Sequence, residues 1–383
     1  MEIYVHIPFC AKKCEYCSFI SFPSSDIQKN EYIGALLREA EIRKSFSDEP
    51  VKTAYIGGGT PSLLSPEQLR RLVNGLRELF PMDECTEFSI EANPGTITVP
   101  FIEALSDLGI NRISYGMQAY QSHLLKTLGR IHDFSAVKES VQIARKYSVS
   151  NLNLDLIFGI PGQTISDWEE TLDAALSLCP QHISAYGLIP EEGTPLWKRL
   201  QQGELTLPEP ETEREMYDLA IRKLKKHGLE QYEISNFALP GHECCHNIGY
   251  WTQEQYIGLG LSASSMRITT KNERGLFCIR RTNPEAMDQY LKMVYNGQDF
   301  FTEEHVSPED TRFETLMLSL RMNRGIRPER FMELHGISID SCYEETLKKM
   351  VKDGLMQYSG GAWSLTRKGM DLQNSVLVEF MED

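Results

Sequence analysis

Tyr4-Val5-His6-Ile7-Pro8-Phe9-Cys10-Ala11-Lys12-Lys13-Cys14-Glu15-Tyr16-Cys17-Ser18-Phe19 lies at the start of the chain, and its reading decides the fold. Alternating apolar residues up to Ile7 predict a strand, Pro8 ends it, and three thiols then crowd into one short loop. The spacing C-x3-C-x2-C supplies three thiolates, whereas a four-iron cluster has four corners, so one iron would stay open to a small molecule. A zinc site would want a fourth Cys or His at short spacing, and His6 lies upstream on the strand. Three buried free thiols are the plainest alternative, weakened because a loop and not a core helix carries them.

Working outward, 383 residues suit one large α/β domain with an appendage. No charged-then-apolar leader and no apolar run near the ~20 residues of a spanning helix is seen, so a cytoplasmic protein without an integral membrane segment is expected. The other cysteines, at 85, 179, 244, 245, 278 and 342, are scattered, which is no disulfide framework and fits a reducing compartment. Cys244-Cys245 beside a histidine is an alternative metal pair, though two packed or exposed thiols account for it as well. A formal charge of -15 argues against a nucleic-acid partner.

Short apolar or alternating runs recur at Ile3 to His6, Thr53 to Ile56, Glu87 to Glu91, Arg112 to Tyr115, Asn151 to Phe158 and His182 to Leu188. Helical patterns lie between them, as at Glu31 to Arg43, Pro66 to Phe80, Ser135 to Tyr147 and Asp167 to Leu178. The mean repeat of about 36 residues is the size of one parallel strand-helix unit. Six such units make either a partial barrel or an open doubly wound sheet, and periodicity does not choose. In either case the chemistry belongs at the carboxyl ends of the strands. Those ends read Cys10 to Cys17, Gly57-Gly58-Gly59-Thr60-Pro61, Glu91-Ala92-Asn93-Pro94, Gly116-Met117-Gln118, Asp155 with Gly159 to Gln163, and Gly187 to Pro190.

A helix from Glu211 to His227 closes this part. The stretch Arg267 to Gly297 is polar and unevenly patterned, and reads as an irregular cap over the barrel. From about Pro308 the chain turns helical (Phe313 to Met322, Arg327 to His335, Cys342 to Asp353) and ends in a turn at Gly360-Gly361. Helices followed by a small hairpin resemble a winged-helix-like module, whose modest basicity favours packing or partner docking over DNA. The expected division is 1–240 for the barrel with the cysteine loop, 241–304 for a cap segment that carries His246 to Trp251, and 305–383 for the helical, winged-helix-like module.

The cysteine loop, with Tyr16 as the aromatic of C-x3-C-x-aromatic-C, resembles the motif of the radical S-adenosylmethionine (SAM) superfamily. Tyr4 through Phe19 is similar to the branch that holds oxygen-independent coproporphyrinogen III oxidase and the HemW heme chaperones. The resemblance runs from Tyr4 to Arg367 and implies a (β/α)6 partial TIM-type barrel, with a 4Fe-4S cluster on Cys10, Cys14 and Cys17 and SAM at the open iron. On the motifs G-G-G-T-P, E-A-N-P, Y-G-M-Q, L-G-R-I and L-D-L-I-F-G it assigns SAM contacts to Gly58, Gly59, Thr60, Glu91, Gln118, Arg130 and Asp155. Arg130 would hold the SAM carboxylate, and Asp155 the ribose. Tyr16 would offer its backbone to adenine, and Tyr4 would lie beneath the cluster; both also suit core aromatics. For the glycines, close backbone approach to a ligand competes with an ordinary tight turn.

A second constellation is His246-Asn247-Ile248-Gly249-Tyr250-Trp251. Imidazole can ligate the iron of a flat porphyrin while aromatic rings pack on the macrocycle, although an ordinary cap contact explains the same residues. In the resembled branch H-N-x-x-Y-W is the heme-binding motif, which makes His246 the candidate iron ligand with Asn247, Tyr250 and Trp251 around it. The oxidase carries a further cysteine where Phe19 stands, and an extension before the first strand. Both departures point to a chaperone that carries heme as cargo to recipient hemoproteins and needs a reductant for its cluster, while Leu261-Ser262, standing where the resemblance implies a glycine, bears on the detail of the cap alone. The alternative is oxygen-independent coproporphyrinogen III oxidation through a 5'-deoxyadenosyl radical. Enzymatic activity and a homodimeric assembly are left open.

Overall fold

The computed structural model describes residues 1–45, 49–272 and 275–381. Residues 46–48, 273–274 and 382–383, which fall within the three expected segments, lie outside the described residues.

Six strands run parallel in sequence order: β1 (Glu2–Ile7), β2 (Thr53–Gly58), β3 (Glu87–Ala92), β4 (Arg112–Gln118), β5 (Asn151–Phe158) and β6 (His182–Gly187). Side chains on a strand alternate between its faces, and here the alternation separates two chemistries. Ile3, Val5 and Ile7 of β1, Phe88 and Ile90 of β3, and Leu152, Leu154 and Leu156 of β5 are buried in the main hydrophobic core. The intervening positions are polar: Tyr4 and His6, Thr53 and Tyr55, Glu87, Ser89 and Glu91, Arg112 and Ser114, Asn153 and Asp155, His182 and Ser184. Parallel strands covered on both faces by helices are apolar throughout. One polar row per strand therefore lines an interior built to receive polar ligands.

The crossover helices begin upstream of the first apolar repeat because capping boxes set their starts. Ser25 with Gln28 opens Asp26–Ile42, Ser65 with Gln68 opens Pro66–Leu79, and Thr164 with Asp167 opens Ile165–Ser177.

The sheet continues past both barrel edges. Beyond β6 come β7 (Glu230–Gln231) and β8 (Asn236–Ala238), antiparallel, with β8 next to β6. Beyond β1 come β9 (Tyr256–Leu259), parallel to it, then β10 (Ser264–Asn272), β11 (Gly275–Thr282) and β12 (Thr302–Val306), all antiparallel. The expectation of an irregular cap over Arg267 to Gly297 is corrected: strands β10 and β11 and the helix Met287–Asn296 occupy it. The strands were masked by charge. Met266, Ile268, Cys278 and Arg280 share one face, and Ser265, Arg267, Ile279 and Arg281 the other, so arginines interrupt both patterns.

The helices Pro308–Ser319, Pro328–His335 and Ile339–Lys352 and the hairpin Met356–Ser359/Ala362–Leu365 enclose a separate hydrophobic cluster around Leu316, Phe331, Leu347 and Phe380. The hairpin turns at Gly360 and Gly361, both at positive φ, where glycine carries no steric cost.

Candidate functional site

The cysteine loop is pinned at several points. Cys10 N–H donates to Phe22 O (3.1 Å), Glu15 N–H to Leu128 O (3.0 Å), and Leu196 N–H to Glu15 O (2.8 Å). His6 is no metal ligand candidate: its Nδ1 meets the Tyr4 hydroxyl at 3.0 Å and its Nε2 meets Ile20 O at 3.1 Å, where it tethers the far end of the loop. The three thiols are half-buried and line one cavity of about 480 Å³ at the carboxyl ends of the strands. Cys10 Sγ lies 3.4 Å from the Thr60 hydroxyl, and Arg130 Nη1 lies 3.5 Å from Cys14 Sγ. Burial pushes the Cys17 thiol up, with Cys14 and Cys10 adding to it. Among the described residues no three His, Cys, Asp or Glu side chains converge as ligands of a single metal ion would.

The same cavity gathers Tyr16, Gly58, Gly59, Glu91, Gln118, Arg130 and Asp155, residues from six different strands and loops. Thr60 stands behind it at Cys10, and Tyr4 lines a neighbouring cavity. The glycines have a packing reason of their own. A Cβ on Gly59 would fall 2.8 Å from Phe9 O, and one on Gly58, at φ 110°, would fall 2.5 Å from the His6 ring. Close approach of β2 to β1 therefore requires both glycines, whatever ligand lies above them.

Gln118 adopts φ 65°, the left-handed region, where the pairing of β4 with β5 shifts register. Such strain in a non-glycine residue persists only where its surroundings impose it. Arg130 spends its guanidinium on Asn93 Oδ1 and Gly116 O, each at 2.7 Å, besides the Cys14 sulfur. Asp155 Oδ2 accepts from Ser114 (2.8 Å) and Oδ1 from Asn153 Nδ2 (2.8 Å). The ladder continues through His182 to the Tyr232 hydroxyl, which accepts from Cys244 N–H at 3.2 Å.

Glu91 accepts from Gly58 N–H at 2.9 Å and from the Tyr55 hydroxyl at 3.1 Å. Burial, reinforced by Asp155, pushes its carboxyl up to about 7. Its folded value thus exceeds the ordinary 4.5, so the native state holds the proton more tightly and stability falls as pH rises from about 4.5 to about 7, by about 3 kcal/mol. Glu91→Gln is expected to remove that decline, gaining on the parent between pH 5 and pH 8 in urea denaturation of the cluster-free protein. Parallel pH profiles would assign the raised value elsewhere.

His246 lies at the opposite end of the barrel from the thiols. The helix Cys245–Trp251 packs against the first residues of β1, β2 and β3, so H-N-x-x-Y-W forms a floor and not a lid. Glu87 caps this helix, accepting from Cys245 N–H (2.7 Å) and His246 N–H (3.3 Å). His246 is 1% exposed, and both ring nitrogens are engaged: Nδ1 with Thr53 Oγ1 (2.8 Å) and Nε2 with Tyr250 Oη (3.0 Å). Its ring stacks on Tyr55 at 5.2 Å. Burial, helped by Arg112, lowers its pKa to about 3, so it is neutral. Burial also pushes the Glu2 carboxyl beneath it up to about 9.

His246, Asn247, Tyr250 and Trp251 line a second cavity of about 520 Å³, walled also by Tyr4, Tyr256, Met266 and Leu318. Its size is that of a cofactor pocket. The two cavities meet: Phe19, Tyr55, Glu91 and Tyr186 line both. Sequence reasoning missed Tyr55, Tyr186 and the helix cap Glu87. The inward row Thr53-Tyr55-Gly57 carried a signal for the first of them.

Three loop thiols at the mouth of a polar-lined, six-stranded parallel barrel define a radical SAM protein. Residues 4–175 match the radical SAM superfamily, which implies a 4Fe-4S cluster and SAM, and residues 306–372 match the HemN C-terminal domain. Curated relatives named "Heme chaperone HemW" share 37% identity in Bacillus subtilis (99% of this chain, 98% of the relative) and 35% in Lactococcus lactis (99% and 97%). The Escherichia coli relative of that name shares 30% identity (100% and 98%). The chain belongs to the HemW family. Its fold is that of Escherichia coli coproporphyrinogen III oxidase (HemN), a radical SAM enzyme, with TM-score 0.83 at 24% identity over 99% of this chain and 89% of that one.

Proposed function

We propose that the chain is a heme chaperone that holds a four-iron four-sulfur cluster with SAM at the barrel mouth and carries heme in the aromatic cavity beneath. The observation that carries this reading is the adjacency of the two cavities, which share Tyr55 and Glu91 as a common wall. The donor set fits the cluster. Cys10, Cys14 and Cys17 would take three irons, and the Arg130 cation beside Cys14 offsets the charge of thiolates. The cluster, when bound, would present SAM with an open iron and a source of one electron.

Around SAM, the Asp155 carboxylate is aimed by Ser114 and Asn153 and suits ribose hydroxyls, which a carboxylate accepts from at several sites. Glu91 faces the same space and suits an ammonium or hydroxyl donor. Gln118 supplies an amide, and Tyr16 a wall. Arg130, already tied to Asn93 and Gly116, would meet the SAM carboxylate with whatever donors those bonds leave, so its first duty is to position the loop.

The aromatic cavity suits a porphyrin, with His246, Asn247, Tyr250 and Trp251 at its floor. The separate hydrophobic cluster and the match over 306–372 support treating 305–383 as its own unit, while 241–304 extends the sheet of 1–240. Among the described residues no helix is long and apolar enough to cross a membrane. Recipient hemoproteins, a reductant for the cluster and a cytoplasmic setting belong to the same proposal.

The test is hemin titration of anaerobically reconstituted protein, followed by mixing with apomyoglobin as a recipient. A single saturable Soret transition and transfer of the heme are expected. No saturable transition, or conversion of coproporphyrinogen to protoporphyrinogen in the parallel anaerobic assay, would count against the chaperone reading.

A further inference from the structure

We propose that Tyr250, and not His246, is the axial ligand to a ferric porphyrin in the aromatic cavity, with His246 behind it as the residue that positions the phenol oxygen. The inference rests on the heme reading above and assigns the iron-binding atom within it.

The geometry of the floor decides between the two residues. The His246 imidazole is held at both nitrogens, by Thr53 on one side and Tyr250 on the other. It is stacked on Tyr55 at 5.2 Å and met edge-on by Tyr250 at 4.9 Å. Bringing Nε2 to an iron atom would break the Tyr250 bond and pull a fully buried ring out of its stack. Tyr250 Oη is the other partner of this hydrogen-bonded pair. Its residue is partly exposed where His246 is not, and it lines the cavity among apolar and aromatic walls.

Tyr256 and Cys278 also line the cavity, and the bond from the imidazole singles out Tyr250; two further phenols are committed elsewhere. Tyr4 Oη bonds to His6 Nδ1 at 3.0 Å, and Tyr55 Oη to Glu91 at 3.1 Å. The Met266 thioether is a soft, neutral donor that does little for a ferric centre. A phenolate is a known axial ligand of haem iron, and a hydrogen bond to a ligating atom tunes and orients it.

The Tyr250–His246 pair supplies that arrangement, with Thr53 fixing the far side of the ring. On ligation the Tyr250 O–H bond breaks, its electron pair passes to iron, and the proton leaves to water. No oxidation state changes.

The test is resonance Raman and visible spectroscopy of the ferric heme complex of the full chain, compared with Tyr250→Phe and His246→Gln. Phenolate-to-iron charge transfer and an iron–phenolate stretch are expected in the parent and absent in Tyr250→Phe. In His246→Gln both persist, with the stretch shifted in frequency and heme affinity lowered several-fold. An imidazole-ligated spectrum in the parent that survives Tyr250→Phe and is lost in His246→Gln would overturn the assignment. Should Tyr250→Phe not fold, the parent spectrum alone decides between phenolate and imidazole. A complete absence of heme binding would instead strike the heme reading itself.

Discussion

Exchanging Cys14 for serine is expected to leave a folded chain that retains almost none of its iron and sulfide. The parent, reconstituted anaerobically, should hold about four of each per chain, as a four-iron cluster requires. The reason is local. Cys14 sits where Arg130 Nη1 approaches its sulfur and where the neighbouring Glu15 backbone is pinned to Leu128 and Leu196. Serine keeps those backbone bonds but offers the iron a harder, far less acidic donor. Cys179 and Cys245, both exposed and on other elements, serve as controls whose replacement by serine should leave the iron content unchanged. Full retention of iron in the Cys14 variant, or its loss in a control, would relocate the cluster.

Glu87→Ala carries the largest expected cost in stability, about 3–5 kcal/mol. This carboxylate, buried at the start of β3, accepts from Cys245 and His246 N–H and from Ser89. It also offsets the charge of Arg112, a guanidinium 2% exposed in the barrel interior whose Nε has no hydrogen-bond partner. Alanine would leave helix N–H groups unmet and a buried cation poorly compensated, and losses of this kind are the expensive ones. Glu87→Gln keeps an acceptor and removes only the charge, so it should cost less. Urea denaturation of the two variants measures the difference, and equal, small losses would show that Glu87 neither caps the floor helix nor balances Arg112. Because that helix carries His246 and Tyr250, Glu87→Ala should also weaken hemin binding.

The six parallel strands were legible because each alternates, and their starts and ends follow from that pattern within a few residues. The rim of the cavity was legible for the same reason: Cys10, Gly58, Glu91, Gln118 and Asp155 all end or follow strands, and a parallel barrel brings strand ends together. What the sequence hid was long-range closure. Thr53 and His246 lie 193 positions apart, and nothing local says that they meet. The H-N-x-x-Y-W stretch therefore reads as part of a cap, whereas Glu2, Thr53 and Glu87 hold its helix at the floor. Strands β10 and β11 were hidden by arginines on both faces, which find partners only in the assembled fold: Arg280 with Glu314, and Arg281 over the ring of Phe301 at 3.6 Å. The two glycines after β2 were legible as special positions, but their packing against β1 was not.

The claim on which the account turns is that three thiolates leave one iron open to SAM. Electron paramagnetic resonance of the reconstituted, dithionite-reduced protein, recorded before and after addition of SAM, tests it most directly. A reduced-cluster signal whose g values shift when SAM binds is expected, with a smaller or absent shift in Asp155→Asn, which weakens the ribose contact. A reduced cluster whose spectrum ignores saturating SAM, in a protein that retains no SAM through gel filtration, would contradict it.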